Sequence, residues 1–357
     1  MLSIGIIGLP NVGKSTLFNS LTKSEALIAN YPFATIGPNV GIVNVPDSRL
    51  IKLAELYETE QITPSTIKFI DIAGLVKGAN KGEGLGNQFL SNIRSTGAII
   101  QVVRSFSDQN VIHVNKEVNP KNDIDIINTE LMLADLSSLS KIIPKYEKEA
   151  KANKKLETKL TTLRKIYDNL DHNIPGWNIP DLDNEAIKDL DLLTLKPIIY
   201  VFNLDENELQ DEIKKAQLQE LVAPKEAVFI CAKLENELKE LDPKDQAELL
   251  HTYGQTQSGL TKLIHSSYKL LGLTSYLTAG KKEVRSWTIK KGSTAPEAAG
   301  VIHNDFQRGF IAAEIVSYSD LIESGSWNNA KSQGKVRTEG KTYIMQEDDV
   351  VEFRFNV

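Results

Sequence analysis

The segment Gly8-Leu9-Pro10-Asn11-Val12-Gly13-Lys14-Ser15 decides the fold, because it matches the pattern G-x-x-x-x-G-K-[ST] in the context which that pattern requires. A strand is predicted just before it, over Ser3–Ile7, and a helix is predicted over Lys14–Thr22. Glycines in such a loop let backbone N–H groups converge on a phosphate, and the helix N-terminus adds its positive end. Lys14 would then place a positive charge on the phosphates, and the Ser15 hydroxyl would ligate Mg²⁺. The residues expected to bind the nucleotide phosphates are Asn11, Val12, Gly13, Lys14, Ser15 and Thr16.

Apolar runs rich in Ile and Val alternate with amphipathic segments around this motif. Further strands are predicted at Val40–Val45, Thr66–Ile70, Ala98–Val103, Lys196–Phe202 and Ala227–Cys231, and a further helix at Asp47–Tyr57. Strands that alternate with helices form βαβ units around a largely parallel sheet. The sequence therefore predicts an α/β nucleotide-binding domain.

Residues 128–170 differ from their surroundings, because they contain no Gly, one Pro and many Leu, Lys and Glu residues. Apolar side chains recur there at alternating steps of three and four residues, which is typical of a helical seam. The polar run 151–155 is expected to turn the chain back, and Pro144 is expected to kink or interrupt the first helix. We interpret this segment as a helical hairpin inserted into the α/β domain. Two surface helices packed on the sheet remain an alternative.

The pattern changes again from about Ser275. Strand-like pieces at Glu283–Ile289, Phe310–Val316, Lys341–Ile344 and Val350–Phe355 surround one helical piece at Ala295–Phe306. This order predicts a small α+β module with a mostly antiparallel sheet. The predicted domains are residues 1–273, which include the 128–170 insertion, and residues 274–357.

The composition excludes several classes of protein. The chain has 357 residues with 41 Lys and Arg against 47 Asp and Glu, a net charge of -6, which argues against wholesale coating of nucleic acid. Cys231 is the only cysteine, so the sequence excludes an internal disulfide and a cysteine-cluster zinc site. No apolar run approaches the roughly 18–20 residues of a membrane span, and no basic segment precedes the first strand. We therefore expect a cytoplasmic protein that makes no membrane contact.

Two loops carry the residues expected to respond to a γ-phosphate. Asp71-Ile72-Ala73-Gly74 follows an apolar strand, so Asp71 would hold Mg²⁺ through a bound water and the Gly74 N–H would meet the γ-phosphate. Thr35 lies in the loop between the first helix and the second strand, where a threonine can close on the metal. A glycine-rich segment follows Gly74 and is expected to become ordered with nucleotide.

The element that reads the base is expected after the strand Lys196–Phe202. A guanine reader needs Asn-Lys-x-Asp, whose carboxylate accepts from guanine N1–H and N2–H₂. This chain has Asn203-Leu204-Asp205-Glu206, so the Lys is replaced by Leu204 and the Asp by the longer Glu206. These changes weaken the case for guanine and leave adenine plausible, bound through Asn203 and the Leu204 backbone. Lys233 follows the next strand, either as a second base contact or as a solvated surface lysine.

Several of these strings together resemble the YchF (Obg-like ATPase) family of P-loop proteins from end to end. The matching pieces are the Gly8–Ser15 loop, 30–36, 71–79, 82–90, Asn203–Glu206 as the family's Asn-x-x-Glu, and 349–357. The resemblance implies a G domain with a helical-hairpin insertion and a C-terminal TGS domain. It also implies a preference for ATP over GTP and association with the ribosome or ribosomal RNA.

The group that activates water is the least determined part of the site. Leu75 occupies the place where switch GTPases commonly carry a Gln, and a leucine cannot polarise water, so slow basal hydrolysis is expected. His113 resembles a family histidine near the site and could orient water at neutral pH, although an ordinary loop histidine explains it equally well. Asn11 resembles asparagines that ligate K⁺ beside the phosphates, or it caps backbone groups.

The function expected from the sequence is that of a monomeric, Mg²⁺-dependent ATPase that acts as a slow switch on the ribosome. One alternative is a GTPase of the Obg type that uses Glu206 as its guanine acceptor. Another alternative is an RNA- or ribosome-binding module that uses nucleotide only as a structural ligand.

Overall fold

A computed structural model describes residues 3–23, 39–72, 85–107 and 118–356 of the chain. Four of the residues singled out above, Thr35, Gly74, Leu75 and His113, lie outside these ranges.

The first sheet carries the phosphate loop at the end of its central strand. Its strand order is β2-β4-β1-β5-β6-β7, and β1 pairs in parallel with both β4 and β5. The pairs β5–β6 and β6–β7 are parallel as well. The strands are β1 (Ser3–Gly8), β2 (Val40–Asn44), β4 (Thr66–Asp71), β5 (Ala98–Arg104), β6 (Ile198–Asn203) and β7 (Glu226–Ile230). The predicted α/β class with a mostly parallel sheet is confirmed, and the carboxyl ends of β1, β4, β5, β6 and β7 meet at one edge.

Helices connect these strands. They are α1 (Lys14–Lys23), α3 (Leu85–Arg94), α4 (Pro120–Ala152), α5 (Glu157–Asp171), α6 (Asn184–Ile187), α7 (Glu212–Val222), α8 (Ala232–Leu238), α9 (Pro243–Thr252) and α10 (Gly259–Leu270). Helix α1 starts inside the phosphate-loop motif, as predicted, and its first backbone bond runs from the Leu17 N–H to the Gly13 carbonyl at 2.9 Å.

Helices α4 and α5 form the predicted hairpin. The buried side chains of α4 lie between Asp123 and Leu139, and two of them, Met132 and Leu139, are buried together with side chains of α5. Helix α4 contacts β5 as well as α5, so the hairpin also packs on the sheet. Pro144 lies inside α4 without interrupting it, so of the two predicted effects, a kink or an interruption, the interruption is wrong. It is exposed, so water can hydrate the carbonyl that loses its backbone donor.

The second sheet has the strand order β11-β10-β12-β8-β9-β3 and is mostly antiparallel. Its strands are β3 (Ile62–Thr63), β8 (Leu273–Ala279), β9 (Val284–Lys290), β10 (Phe310–Ser317), β11 (Arg337–Glu339) and β12 (Asp349–Phe355). Its helices are α2 (Ser48–Tyr57), α11 (Ala295–Ile302), α12 (Asn304–Arg308), α13 (Tyr318–Ser324) and α14 (Trp327–Ser332). The predicted α+β character of the C-terminal module is confirmed.

The predicted strand at Lys341–Ile344 is wrong. The Tyr343 carbonyl accepts from the Ala295 N–H at 2.9 Å, and the Met345 N–H donates to the Ser293 carbonyl at 3.0 Å. The segment thus makes only an isolated bridge, from Ile344 to Thr294, because its backbone groups pair at the start of α11.

The chain divides into two compact units, residues 1–41 with 68–263, and residues 42–67 with 264–357. Residues 42–67 join the second unit because Leu50 and Leu53 of α2 are buried with Leu277, Val284 and Val316. The units therefore do not follow a single division at residue 273, and the extents of the nucleotide-binding and TGS domains stay a prediction. Within the ranges that the structure describes, no helix is both long enough and apolar enough to cross a bilayer.

Asp135 fixes α4 to the segment that leads into β6. Its carboxylate is fully buried and accepts from the Leu193 N–H at 3.0 Å, the Thr194 N–H at 2.8 Å and the Thr194 hydroxyl at 2.8 Å. Arg94 lies 3.7 Å away. Burial raises the pKa of Asp135, while these hydrogen bonds oppose the shift. The carboxylate thus serves as the acceptor for two buried backbone donors.

We predict that Asp135→Ala lowers the free energy of unfolding by about 3 kcal/mol, because it leaves buried N–H groups without an acceptor. Urea unfolding followed by circular dichroism measures the loss. Asp125→Ala, on an exposed position of the same helix, is the control and should change stability by less than about 0.5 kcal/mol. Equal stability of the two variants would contradict the role assigned to Asp135.

Glu235 of α8 holds the start of α10 by accepting from the Gly259 N–H at 2.6 Å. Only 4 % of the residue is exposed, and this burial raises the pKa of Glu235 to about 7. The folded state therefore retains the Glu235 proton at a pH where the unfolded chain has already released it. The stabilisation from this carboxyl is full below the unfolded pKa and is lost as the pH rises through about 7.

We predict that Glu235→Gln removes this pH dependence. The difference in unfolding free energy between wild type and Glu235→Gln should move by about 2 kcal/mol in favour of the variant from pH 5 to pH 8.5. Urea unfolding at both pH values measures it. Glu240→Gln, at an exposed position just beyond α8, is the control. A difference that stays constant with pH would show that Glu235 does not titrate in this window.

Candidate functional site

The phosphate loop lies between β1 and α1 and can be built only with its glycines. Gly13 has φ +92°, and a Cβ there would lie 2.3 Å from Asn203 Nδ2. A Cβ on Gly8 would lie 2.7 Å from the Val102 carbonyl oxygen. Asn11, at the turn of the loop, has φ 63°, a left-handed conformation that asparagine tolerates. The loop therefore passes close against β5 and β6.

Lys14 points from the first turn of α1 to the end of β4. Its Nζ donates to the Ile72 carbonyl at 3.0 Å and lies 3.4 Å from Asp71 Oδ1. Both side chains are mostly buried, with 10 % of Lys14 and 19 % of Asp71 exposed. The structure thus brings together the phosphate-loop lysine and the carboxylate predicted to hold Mg²⁺.

The residues proposed to hold Mg²⁺ fit that ion where the structure describes them. Asp71 Oδ1 is buried and accepts no hydrogen bond from the described residues, among which Lys14 is the cation that lies beside it. Ser15 is exposed at the start of α1, where its hydroxyl is accessible. Within the described ranges, no cluster of three or more His, Cys, Asp or Glu residues forms a protein-only metal site. An oxygen donor set completed by water and phosphate is the kind that Mg²⁺ prefers.

Asn203 connects the phosphate loop to the next loop along the sheet. Its Nδ2 donates to the Val12 carbonyl at 3.1 Å, and its Oδ1 accepts from the Ala232 N–H at 3.0 Å. The residue is 7 % exposed, at the last position of β6. Its amide therefore fixes the distance between the loop after β1 and the start of α8.

A cleft of about 840 Å³ opens beside this connection. Gly13 and Thr16 line its end at the phosphate loop. Phe106 and Ser107 line it after β5, 203–208 after β6, and 231–233, Asn236 and Glu237 around α8. Its size falls within the range of small-molecule sites, and its position at the carboxyl ends of parallel strands is where α/β proteins bind ligands.

The loop after β6 forms hydrogen bonds with the loops on either side of it. The Leu204 N–H donates to the Ile230 carbonyl at 2.8 Å. This N–H is therefore not available to a ligand in the cleft. Asp205 accepts from the Ser107 N–H at 2.9 Å, so the loops after β5 and β6 are joined. These bonds shape the floor of the cleft.

Two charged side chains of the cleft, those of Glu206 and Lys233, form an ion pair. Glu206 Oε1 lies 2.9 Å from Lys233 Nζ, and this neighbouring carboxylate raises the pKa of the lysine. Cys231 is buried at the start of α8, and its burial raises the pKa of its thiol, so the thiol stays neutral. The position that a guanine-reading carboxylate would occupy therefore belongs to an ion pair.

The structure places Asn11–Thr16, Asp71, Asn203 and Leu204 around one edge of the first sheet, as the motif spacing implied. Sequence reasoning missed Ser107 as a partner of Asp205, and it left the role of Lys233 open. The Ser107–Asp205 contact joins loops 98 residues apart, and no local pattern announces such a pair.

Two family models match the chain. Residues 3–129 match the model described as "50S ribosome-binding GTPase". Residues 273–356 match the model YchF-GTPase_C, described as "Protein of unknown function (DUF933)".

Whole-length relatives carry one name. The chain is 50 % identical to the "Ribosome-binding ATPase YchF" of Bacillus subtilis, over 100 % of both chains. It is 47 % identical to the protein of the same name from Escherichia coli O157:H7, over 99 % of both chains.

Solved structures agree with these relatives. The structure of the Schizosaccharomyces pombe "YchF GTPase" matches with a TM-score of 0.87 and 37 % identity, over 99 % of this chain and 97 % of that one. A GTP binding protein from Pyrococcus horikoshii shares the fold with a TM-score of 0.61 at 19 % identity, over 99 % of this chain and 100 % of that one. A P-loop G domain followed by a YchF-type C-terminal domain, with matches along the whole chain, shows that this chain belongs to the YchF family.

Proposed function

We propose that this protein is an Mg²⁺-dependent ATPase that acts as a slow conformational switch on the ribosome. The observation that carries the proposal is the cleft of about 840 Å³ that runs from the phosphate loop to the loops after β6 and β7. Gly13 and Thr16 line its end at the phosphate loop, and the residues after β6 and β7 line the other end, where a base would lie. These features suit a nucleoside triphosphate that lies across the strand ends.

The phosphate end would bind the triphosphate through the backbone of Asn11–Thr16 and the charge of Lys14. Ser15 would hold Mg²⁺ directly and Asp71 would hold it through a water, because the buried Asp71 oxygen has no hydrogen-bond donor among the described residues. When bound, the ion neutralises charge on the phosphate oxygens. Lys14 is paired with Asp71 in this structure, and its side chain would turn to the phosphates when the nucleotide binds.

The base end favours adenine over guanine. Guanine offers N1–H and N2–H₂ donors, and Glu206, at the fourth position of the base-reading motif, is paired with Lys233. Adenine offers an N6 amine, for which the Leu204 carbonyl would be the acceptor. The Leu204 N–H would not contact the base, since it already donates to the Ile230 carbonyl. Asn203 would act mainly by fixing the walls of the cleft around the base.

Catalysis depends on residues that the structure does not describe. Thr35 and Gly74 would sense the γ-phosphate, and His113 would orient water in place of the glutamine that Leu75 replaces. Asn11 would hold K⁺ beside the phosphates and so supply a charge without an arginine. With a leucine at position 75, we expect slow hydrolysis until another group or a partner positions the water.

The partner is the ribosome. Both named relatives are described as ribosome-binding, and the model that matches residues 3–129 carries a ribosome-binding description too. We propose that the protein acts as a cytoplasmic monomer at ribosomal RNA, where nucleotide state sets its affinity.

We predict that ATP binds more tightly than GTP, by about tenfold or more. Guanine needs an unpaired carboxylate as its acceptor, and adenine does not. Isothermal titration of the full-length chain with each nucleotide and Mg²⁺ measures the ratio. Lys14→Ala should weaken both nucleotides by about tenfold or more, because both lose the same phosphate contact. Lys148→Ala, an exposed lysine of the hairpin, is the matched control and should bind as wild type does.

Tighter binding of GTP would contradict the ATPase assignment and support the Obg-type GTPase instead, in line with the description of the fission-yeast protein as a GTPase. A Lys14→Ala protein that supports every cellular function while it docks on ribosomes would favour a purely structural role for the nucleotide.

We also predict that Asn203→Asp weakens ATP and GTP alike, by about tenfold. The change keeps the size of the side chain but turns an acceptor toward the Val12 carbonyl, so the phosphate loop is pushed away from β6. The same titration measures the loss, and circular dichroism checks that the protein is folded. An unchanged affinity would show that the connection between the two loops does not position the phosphate loop.

A further inference from the structure

The carboxylate of Glu206 is held by two side chains from different parts of the chain. Its Oε1 lies 2.9 Å from Lys233 Nζ at the start of α8. The Tyr253 hydroxyl, beyond the end of α9, donates to its Oε2 at 3.4 Å. Glu206 and Lys233 both line the cleft. Glu206 has 24 % of its side chain exposed, whereas Lys233 has 74 % exposed, so this ion pair lies at the surface of the cleft.

The position of Lys233 follows from the connection made by Asn203. Because Asn203 Oδ1 accepts from the Ala232 N–H, the first turn of α8 stays in place, and Lys233 is on that turn. Lys233 also lies 4.0 Å from Glu237, one turn later on α8. The lysine is therefore placed between two carboxylates that line the cleft.

The position of Tyr253 is fixed by the segment around it. Gln210 Nε2 donates to the Thr252 carbonyl at 2.8 Å, and Gln255 Nε2 donates to the Leu209 carbonyl at 3.1 Å. Lys262 donates to Gln255 Oε1 at 3.0 Å and so orients that amide. These bonds join the turn that follows α9 to the short helical segment which begins at Glu206. The tyrosine thus supports Glu206 through a framework separate from α8.

We propose that Lys233 and Tyr253 determine the base preference of the site by holding Glu206 as an ion pair. This inference rests on the proposed function, since it concerns how the same cleft selects its nucleotide. A carboxylate neutralised by a lysine is a poor acceptor for guanine N1–H and N2–H₂, and it repels the adenine N1 lone pair less. Released from its partners, the same carboxylate would accept from guanine. Lys233 and Tyr253 are thus positioning residues that act through Glu206.

A simpler role for Lys233 is direct stacking along the base. In that case its removal would weaken both nucleotides to a similar extent, whatever residue stands at position 206. Removal of a partner of Glu206 instead changes the ratio of the two affinities, and only while the carboxylate is present. The two roles are therefore separated by a double-mutant cycle.

The experiment titrates wild type, Lys233→Met, Glu206→Gln and the double variant with ATP and with GTP in the presence of Mg²⁺. Methionine keeps much of the length of the lysine and removes its charge. We expect Lys233→Met to shift the ratio of affinities toward GTP by about twofold to fivefold, which is the size typical of an exposed charge pair. In the Glu206→Gln background the same change should leave the ratio unaltered.

Tyr253→Phe supplies an independent arm, because it removes only the hydroxyl that donates to Glu206. It should shift the ratio toward GTP as Lys233→Met does, by about twofold or more. Tyr167→Phe, on α5 of the hairpin, is the matched control and should leave both affinities unchanged.

Equal losses for ATP and GTP in Lys233→Met, or a shift that persists with Glu206→Gln, would overturn the proposal. So would a ratio that no variant changes. If wild type binds GTP more tightly, the proposed ATPase function fails, while the cycle still reports whether Lys233 acts through Glu206. If wild type prefers ATP and the cycle shows no coupling, the proposed function stands and this inference fails.

Discussion

The amide of Asn203 is the connection on which the site depends. Its two hydrogen bonds, to the Val12 carbonyl and from the Ala232 N–H, join the loop after β1 to the loop after β7 across the end of β6. The contact is so close that a Cβ at position 13 would collide with the Asn203 amide. Only a glycine at position 13 therefore leaves room for this amide. One side chain thereby sets the phosphate loop and the first turn of α8 in register.

The same connection positions the charged side chains at the base end of the cleft. Asn203 occupies the first position of a base-reading motif, yet its polar atoms serve the backbone. By fixing α8 it places Lys233 Nζ 2.9 Å from Glu206 Oε1, and we propose that this pairing weakens the carboxylate as an acceptor for guanine. In this account, the preference for adenine depends on the pairing of Glu206 with Lys233 more than on the identity of residue 206 alone.

Local patterns predicted much of the fold. The apolar strands, the loop–helix start at Lys14 and the helical seam of the hairpin have short-range signals, and the structure confirms them. The failures have other causes: Pro144 is tolerated because it faces water, and the strand predicted near Tyr343 is absent because its backbone pairs with the start of α11. In the site, too, local features could be predicted from the sequence and long-range contacts could not. The phosphate loop is a contiguous motif, whereas the contact of Glu206 with Tyr253 joins residues 47 positions apart.

Hydrogen–deuterium exchange of the full-length protein tests the central claim most directly, namely that one nucleotide lies across the loops which Asn203 connects. The exchange would be followed with Mg²⁺ alone and with Mg²⁺ and a non-hydrolysable ATP analogue. The account predicts slower exchange in peptides that cover three separate stretches, 8–16, 203–208 and 231–237. Slower exchange in the phosphate loop alone, with no change in the other two stretches, would contradict it.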